Sequence, residues 1–104
     1  MDYNLLSINK STKKNKKLTA VFENTKTKRN KTVHFGSSPN KDYTIYSKGD
    51  KKEAEMKKKA YIARHQVREN FNNPVSAGAL SRWILWNKPT VSASIADFKK
   101  RFNL

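Results

Sequence analysis

Cysteine is absent from the sequence. Disulfide bonds and thiolate metal sites are therefore excluded, because both need the cysteine sulfur. Only two histidines are present, His34 and His65, and they lie far apart without paired carboxylates beside them. We therefore expect neither a bound metal ion nor another cofactor.

Acidic residues are also scarce. Eight Asp and Glu face 23 Lys and Arg, which leaves a formal net charge of +15 on 104 residues. A chain this basic attracts phosphate backbones and releases counterions when it binds them. Acidic lipids or an acidic protein surface would match the same charge, but an overall basic chain points first to nucleic acid.

Long apolar runs and catalytic motifs are missing as well. The first nine residues contain one apolar pair, Leu5 and Leu6, so we expect neither a signal peptide nor a membrane span. No glycine-rich phosphate loop and no nucleophile motif is present, and the few acidic residues are scattered. General acid–base catalysis needs positioned groups, so the sequence predicts a protein that is not an enzyme.

Alternating and β-branched segments in the first half predict strands. Residues 18–22 are rich in such side chains, residues 31–35 alternate polar and apolar positions, and residues 24–30 between them read as a loop. The two segments predict a hairpin with a basic tip. Residues 43–46 are a candidate third strand, and residues 1–17 are predicted to be a basic N-terminal arm.

After Gly49 the apolar residues recur at the spacing of a helix. Asp50 and Glu53 form a plausible capping box for a long helix that ends at Asn72-Asn73-Pro74. Its predicted apolar face consists of Met56, Ala60, Ala63, Val67 and Phe71. Two further helices are predicted at 79–86, which contains Trp83 and Trp86, and at 91–102.

Strands followed by helices indicate an α+β fold. We expect a small antiparallel sheet of two to three strands in the N-terminal half, packed with two to three helices from the C-terminal half. Residues 18–104 would form this single domain.

Candidate nucleic-acid contacts fall into three groups. The long helix carries Lys57, Tyr61, Arg64 and Arg68 at spacings of four, three and four, next to its apolar face. The predicted hairpin loop carries Lys26, Lys28 and Arg29, and the arm carries Lys13 and Lys14, followed by Lys16 and Lys17. Such cations contact phosphates without reading bases, and Tyr61 is a candidate to stack or donate a hydrogen bond. The alternative is a solvated, lysine-rich surface of purely compositional origin.

Several segments resemble a known family. They are KTVHFGSS at 31–38, DYTIY at 42–46, AYIARH at 60–65, REN at 68–70 and NPVSAGALSRWILWNKPTVSASIADFKKRF at 73–102. The chain resembles small basic proteins of unknown function encoded by large nucleocytoplasmic DNA viruses, the giant viruses of algae and protists. The resemblance implies a viral origin and a place in the virion or the viral factory, but it supplies no catalytic residues. Where its pattern leads us to expect a histidine, this chain has Tyr46.

Two functional hypotheses follow. The first is a non-enzymatic, largely electrostatic nucleic-acid-binding protein, with DNA favoured over RNA, that is packaged in the virion. The second is a minor capsid or internal scaffold protein whose cations bind acidic capsid subunits. A nucleic-acid-processing enzyme would have to depend on His34 or His65, because no other catalytic group stands out.

Overall fold

A computed structural model describes residues 2–104 and confirms the α+β fold. The N-terminal half forms a three-stranded antiparallel sheet in the order β1-β2-β3, and the C-terminal half forms four helices. The elements are β1 Tyr3–Lys10, β2 Lys16–Asn24, β3 Asn30–Ser37, α1 Tyr43–Tyr46, α2 Lys51–His65, α3 Ala77–Leu80 and α4 Val91–Phe102. One π-helical turn, Ser81–Leu85, continues α3 directly.

The predicted hairpin of β2 and β3 is confirmed. Leu18 is paired with Phe35, and Ala20 with Val33, so the inward residues of both strands share one face. The side-chain oxygen of Asn24 accepts hydrogen bonds from the backbone N–H groups of Lys26 and Thr27. An asparagine in this role replaces a backbone turn, which explains why the chain reverses there.

The first strand was not predicted. Residues 3–10 of the segment interpreted as an arm form β1, which pairs with β2; residue 1 lies outside the described residues. Tyr3, Leu5 and Ile8 all pack against the core, although Ile8 is one position out of strict alternation. A bulge at Leu6 absorbs the extra residue, since Leu5 pairs with Phe22 and Ser7 with Val21. The bulge therefore hides the strand from a search for period-two alternation.

The third predicted strand is wrong, because residues 43–46 form the single turn α1. The Asp42 carboxylate accepts hydrogen bonds from the backbone N–H groups of Thr44 and Ile45. These bonds satisfy two of the free donors of the first turn. Local capping thus overrides the strand preference of the tyrosine and β-branched residues.

Helix α2 starts where the sequence predicts, with the Asp50 side chain capping Lys52 N–H, but it ends at His65 rather than near Phe71. The predicted apolar face is also wrong. Met56 and Val67 are 71% and 77% exposed, whereas Ala54 and Tyr61 are buried. The helix therefore turns the face of Tyr61, not the face of Met56, toward the rest of the protein.

The last two predicted helices are present and cover the sheet. Ser76 and Thr90 cap α3 and α4 by accepting from Ala79 N–H and Ala93 N–H. The core is formed by one face of the sheet and these helices, with the buried residues Ala20, Phe22, Phe35, Leu80, Ile84, Leu85 and Phe98. Trp83 packs against this core and donates its indole N–H to the carbonyl of Phe71 at 2.7 Å. The sheet and helices form one core, which fixes the end of the hairpin against α3.

Gly36 lies against Leu85 of the π-helical turn that continues α3. Its φ is +83°, and an added Cβ would lie 2.6 Å from Leu85 Cδ1 and 3.1 Å from Lys17 Cβ. We expect Gly36→Ala to lower the free energy of unfolding by about 2 kcal/mol or more, through backbone strain and overlap.

Urea denaturation measures this difference, and Gly49→Ala is the matched control. A Cβ at Gly49 would meet nothing closer than the Tyr46 carbonyl oxygen at 3.7 Å. Equal stabilities of the two variants would contradict the tight packing of Gly36 on Leu85.

Candidate nucleic-acid interface

A basic cleft of about 480 Å3 lies between the hairpin end and the helices. Its cations come from three separate parts of the chain: the start of β2, the loop before α1, and α2. They are Lys16, Lys17, Lys41, Lys57 and Arg64. The cleft also contains two carboxylates, Asp42 and Glu69, so its lining is net positive.

The fold positions these cations in simple ways. Lys57 and Arg64 lie seven residues apart on α2, which is about two helical turns, so they occupy the same side of the helix. Lys16 pairs with Ser37 across the hairpin, which places it beside the close approach at Gly36. Lys41 precedes the cap of α1. The cleft is therefore built where the sheet, α1 and α2 meet.

One of the five cations is used internally. Lys17 Nζ donates to Asp42 Oδ2 at 2.6 Å, and these two side chains are 17% and 4% exposed. The other Asp42 oxygen caps α1, so a single carboxylate holds both the start of β2 and α1. Within residues 2–104, none of Lys16, Lys41, Lys57 and Arg64 has a carboxylate within 4 Å. These four charges are free to meet an external anion.

Stacked rings form one wall of the cleft. Tyr61 lies 4.4 Å from Trp86, nearly parallel at 6°, and 4.2 Å from His65 at 25°. Two rings this close can be accommodated only on opposite faces of Tyr61. Both faces of Tyr61 are therefore covered by these two rings in this arrangement. Tyr61 instead supports the wall.

Burial also changes the chemistry of Tyr61. Removal of the phenol from water raises the pKa of Tyr61 to about 12, with the nearby Glu69 charge adding to the effect. The ring therefore stays neutral at any pH where the protein would meet nucleic acid.

Glu69 lies at the edge of the cleft and is held by the protein. Its Oε1 is 3.7 Å from His65 Nδ1, and its Oε2 is buried without a hydrogen-bond partner. The carboxylate occupies the space over Gly78, where any Cβ would overlap it. Gly78 is in the first turn of α3, and the positive end of a helix stabilises a carboxylate.

The other predicted contact residues are divided between the two ends of the sheet. Lys13 and Lys14 are exposed in the turn before β2, next to Lys16. A hydrogen bond from Ser38 N–H to the carbonyl oxygen of Asn15 joins this turn to the end of β3. Lys26, Lys28 and Arg29 lie at the opposite end, where Lys26 pairs with Asp2. The nine residues of β2 separate the two turns by about 27 Å at ~3.4 Å per residue. One compact ligand on the cleft therefore reaches the first turn but not the second.

Arg68, predicted to extend the basic face of α2, is exposed in the turn after the helix and does not line the cleft. Sequence reasoning missed Lys41 and Tyr46, which do line it. The sequence signal that could have placed them is Asp42, which lies between them and caps α1. Recognition of this cap would have predicted a helical turn at residues 43–46.

The two histidines do not meet. His34 Nδ1 lies 2.9 Å from Ser11 Oγ and 2.8 Å from Thr19 Oγ1 on the sheet, whereas His65 is in the stack. Among residues 2–104, no cluster of three or more histidine or acidic side chains is placed to ligate a metal. None of the helices formed by these residues has the length and apolar character needed to span a bilayer.

Residues 6–65 match the model of a family described as a family of unknown function (DUF5754). The chain belongs to this family. The matched region runs from β1 to the end of α2 and contains Lys16, Lys41, Lys57 and Arg64, so every free cation of the cleft lies within it. The segment 6–30, which the earlier resemblance did not cover, is thus part of the family pattern. Comparisons with curated proteins and with solved structures found no match.

The ion pair of Lys17 with Asp42 predicts a specific stability effect. Asp42→Asn keeps a side-chain oxygen for capping but leaves the largely buried Lys17 ammonium without its counter-charge. We expect the free energy of unfolding to fall by about 3 kcal/mol, because breaking a buried pair is costly.

The matched control is Asp50→Asn, which changes the exposed cap of α2, where no lysine is paired. It should cost only a few tenths of a kcal/mol, since asparagine caps about as well as aspartate. Chemical denaturation of both variants measures the free energy of unfolding. Equal decreases in Asp42→Asn and Asp50→Asn would contradict a stabilising ion pair between Lys17 and Asp42.

The raised pKa of Tyr61 predicts a loss of stability in strong alkali. In the unfolded chain the phenol ionises near its ordinary pKa of 10, but in the folded protein only near 12. The unfolded state therefore loses this proton first, and the free energy of unfolding falls as pH rises from about 10 to 12.

Tyr61→Phe removes this proton, so its stability should fall less steeply over the same range. Denaturation curves at several pH values between 8 and about 11.5 compare the two proteins, using the intrinsic tyrosine pKa of about 10 as the reference point. Parallel pH profiles would contradict the burial of the Tyr61 phenol.

Proposed function

We propose that the protein binds nucleic acid, without catalysis, by contacting phosphates in the basic cleft. The observation that carries this proposal is the convergence of Lys16, Lys41, Lys57 and Arg64 on one concave surface without acidic partners in residues 2–104. Cations placed together in this way repel one another, and an anionic ligand removes that repulsion.

The chemistry of the lining suits phosphate. Lysine and arginine side chains donate charge-assisted hydrogen bonds to phosphate oxygens, and the polar groups of Ser37 and Asn40 stand beside them. Lys13 and Lys14 extend the positive surface beyond the cleft along the adjacent turn. Contacts of this kind position a backbone but read no sequence, so low sequence specificity is expected.

DNA is the favoured nucleic acid, and the virion or viral factory is the proposed place of binding. Both statements rest on the resemblance to proteins of large DNA viruses. The competing partner is an acidic capsid subunit, which would offer carboxylates to the same four cations.

Charge reversal in the cleft is the decisive test. We expect Lys57→Glu combined with Arg64→Glu to lower affinity for a short DNA at least tenfold at low salt. The plot of log affinity against log salt should become less steep. The expected decrease corresponds to two lost phosphate contacts, each of which contributes ~0.7–0.9 to the slope. Fluorescence anisotropy over a salt series measures both quantities.

The matched control is Lys28→Glu combined with Arg29→Glu, which changes the net charge equally at the far end of the sheet. It should weaken binding much less. Equal losses in both variants would show that net charge alone drives binding and that the cleft is not the site. Failure of the unmodified protein to bind DNA or RNA at any salt would overturn the proposal and favour an acidic protein partner.

A further inference from the structure

The cleft contains an aromatic ring that the phosphate contacts do not use. Five rings line it: Phe35, Tyr46, Tyr61, His65 and Trp86. Phe35 is fully buried in the core. Tyr61 is covered on both faces, and Trp86 is stacked on Tyr61. Tyr46 differs, because it is tilted by 44° to Trp86 at a centroid distance of 6.3 Å and is stacked on no other ring of residues 2–104.

The surroundings of Tyr46 are positively charged. Lys41 Nζ and Lys57 Nζ lie 5.9 Å and 5.8 Å from the centre of its ring. Both lysines are exposed and have no carboxylate partner within residues 2–104, whereas Tyr46 itself is half-buried. Contacts at about 6 Å are at the outer limit of a cation–π interaction. The two ammonium groups can therefore move toward a phosphate without disturbing the protein.

An aromatic face flanked by cations is the combination found in single-strand binding sites. Bases stack on the ring while the cations follow the backbone, and the stacking is tolerant of sequence because every base has a π face. A base in a duplex is already stacked and paired, so it would have to leave the helix to reach a ring in a cleft wall.

The dimensions of the cleft agree with this use. Its volume of about 480 Å3 is within the range of roughly 300–1,000 Å3 that small-molecule sites occupy. It is therefore large enough for an unstacked nucleotide but too small for a duplex.

We propose that the cleft binds single-stranded nucleic acid, with one unstacked base on Tyr46 and the adjoining phosphates on Lys41 and Lys57. This inference rests on the proposed function, and it adds the substrate class and the residue that selects it. Tyr46 thus takes the role that the sequence pattern had suggested for Tyr61.

The experiment compares three DNA ligands of equal length at one salt concentration: a single strand, a duplex, and a single strand with abasic sites in its central positions. The abasic strand keeps the phosphates but offers no base to stack. We expect the intact single strand to bind about tenfold more tightly than either of the other two.

Variants at Tyr46 assign the effect to this ring. Tyr46→Leu should lower affinity for the intact single strand about tenfold and leave the affinities for the abasic strand and the duplex unchanged. Tyr46→Phe keeps the aromatic face and should bind all three ligands as the unmodified protein does. Thermal unfolding of both variants checks that the fold is retained.

The outcomes separate this inference from the function on which it rests. Equal affinity for the single strand and the duplex, or an equal loss on intact and abasic strands in Tyr46→Leu, would overturn the stacking role. The proposed function would still stand if Lys57→Glu with Arg64→Glu weakened binding in the same assay. Absence of binding to all three ligands would overturn both.

Discussion

The carboxylate of Asp42 links the start of β2 to α1 beside the cleft. One oxygen caps α1, and the other accepts from Lys17 at the start of β2. Because both side chains are largely buried, the pair is screened little by solvent and salt. This link fixes the loop that carries Lys41 against the end of the sheet. Without it, the loop that carries Lys41 would lose an anchor to the end of the sheet.

The aromatic stack completes that geometry from the other side. Trp86, Tyr61 and His65 join the segment after α3 to α2, so the position of Lys57 and Arg64 depends on the stacking of rings. The choice is physically reasonable. Ion pairs to Lys57 and Arg64 would neutralise two of the four free cations of the cleft.

The free cations come at a cost to stability that the rest of the fold offsets. Four like charges around one cleft repel one another, and the protein is small, with a modest core. Tight contacts such as Gly36 on Leu85 and Glu69 over Gly78 keep the elements close despite that repulsion. Binding of a polyanion would remove the repulsion, so ligand and fold would stabilise each other.

Local features of the sequence determined a good part of this protein. The excess of lysine and arginine set the positive charge, the alternation in residues 31–35 predicted one strand of the hairpin, and the Asp50 cap predicted the start of α2. Each of these signals acts over a few residues, which is why a pattern search finds it. The bulge at Leu6 and the cap at Asp42 are equally local, but they break the periodicity on which such a search depends.

Only the tertiary structure decided which side chains share the cleft. The spacing of Lys57, Tyr61 and Arg64 placed them on one side of a helix, but it did not show that Tyr61 is buried while its neighbours are exposed. It also could not bring Lys16 and Lys41 beside them or send Lys28 and Arg29 to the far end of the sheet. These outcomes depend on contacts between residues distant in the sequence, such as Lys17 with Asp42 and Tyr61 with Trp86. The sequence by itself thus determined the charge and most of the local elements, whereas long-range packing decided which of those charges can act together.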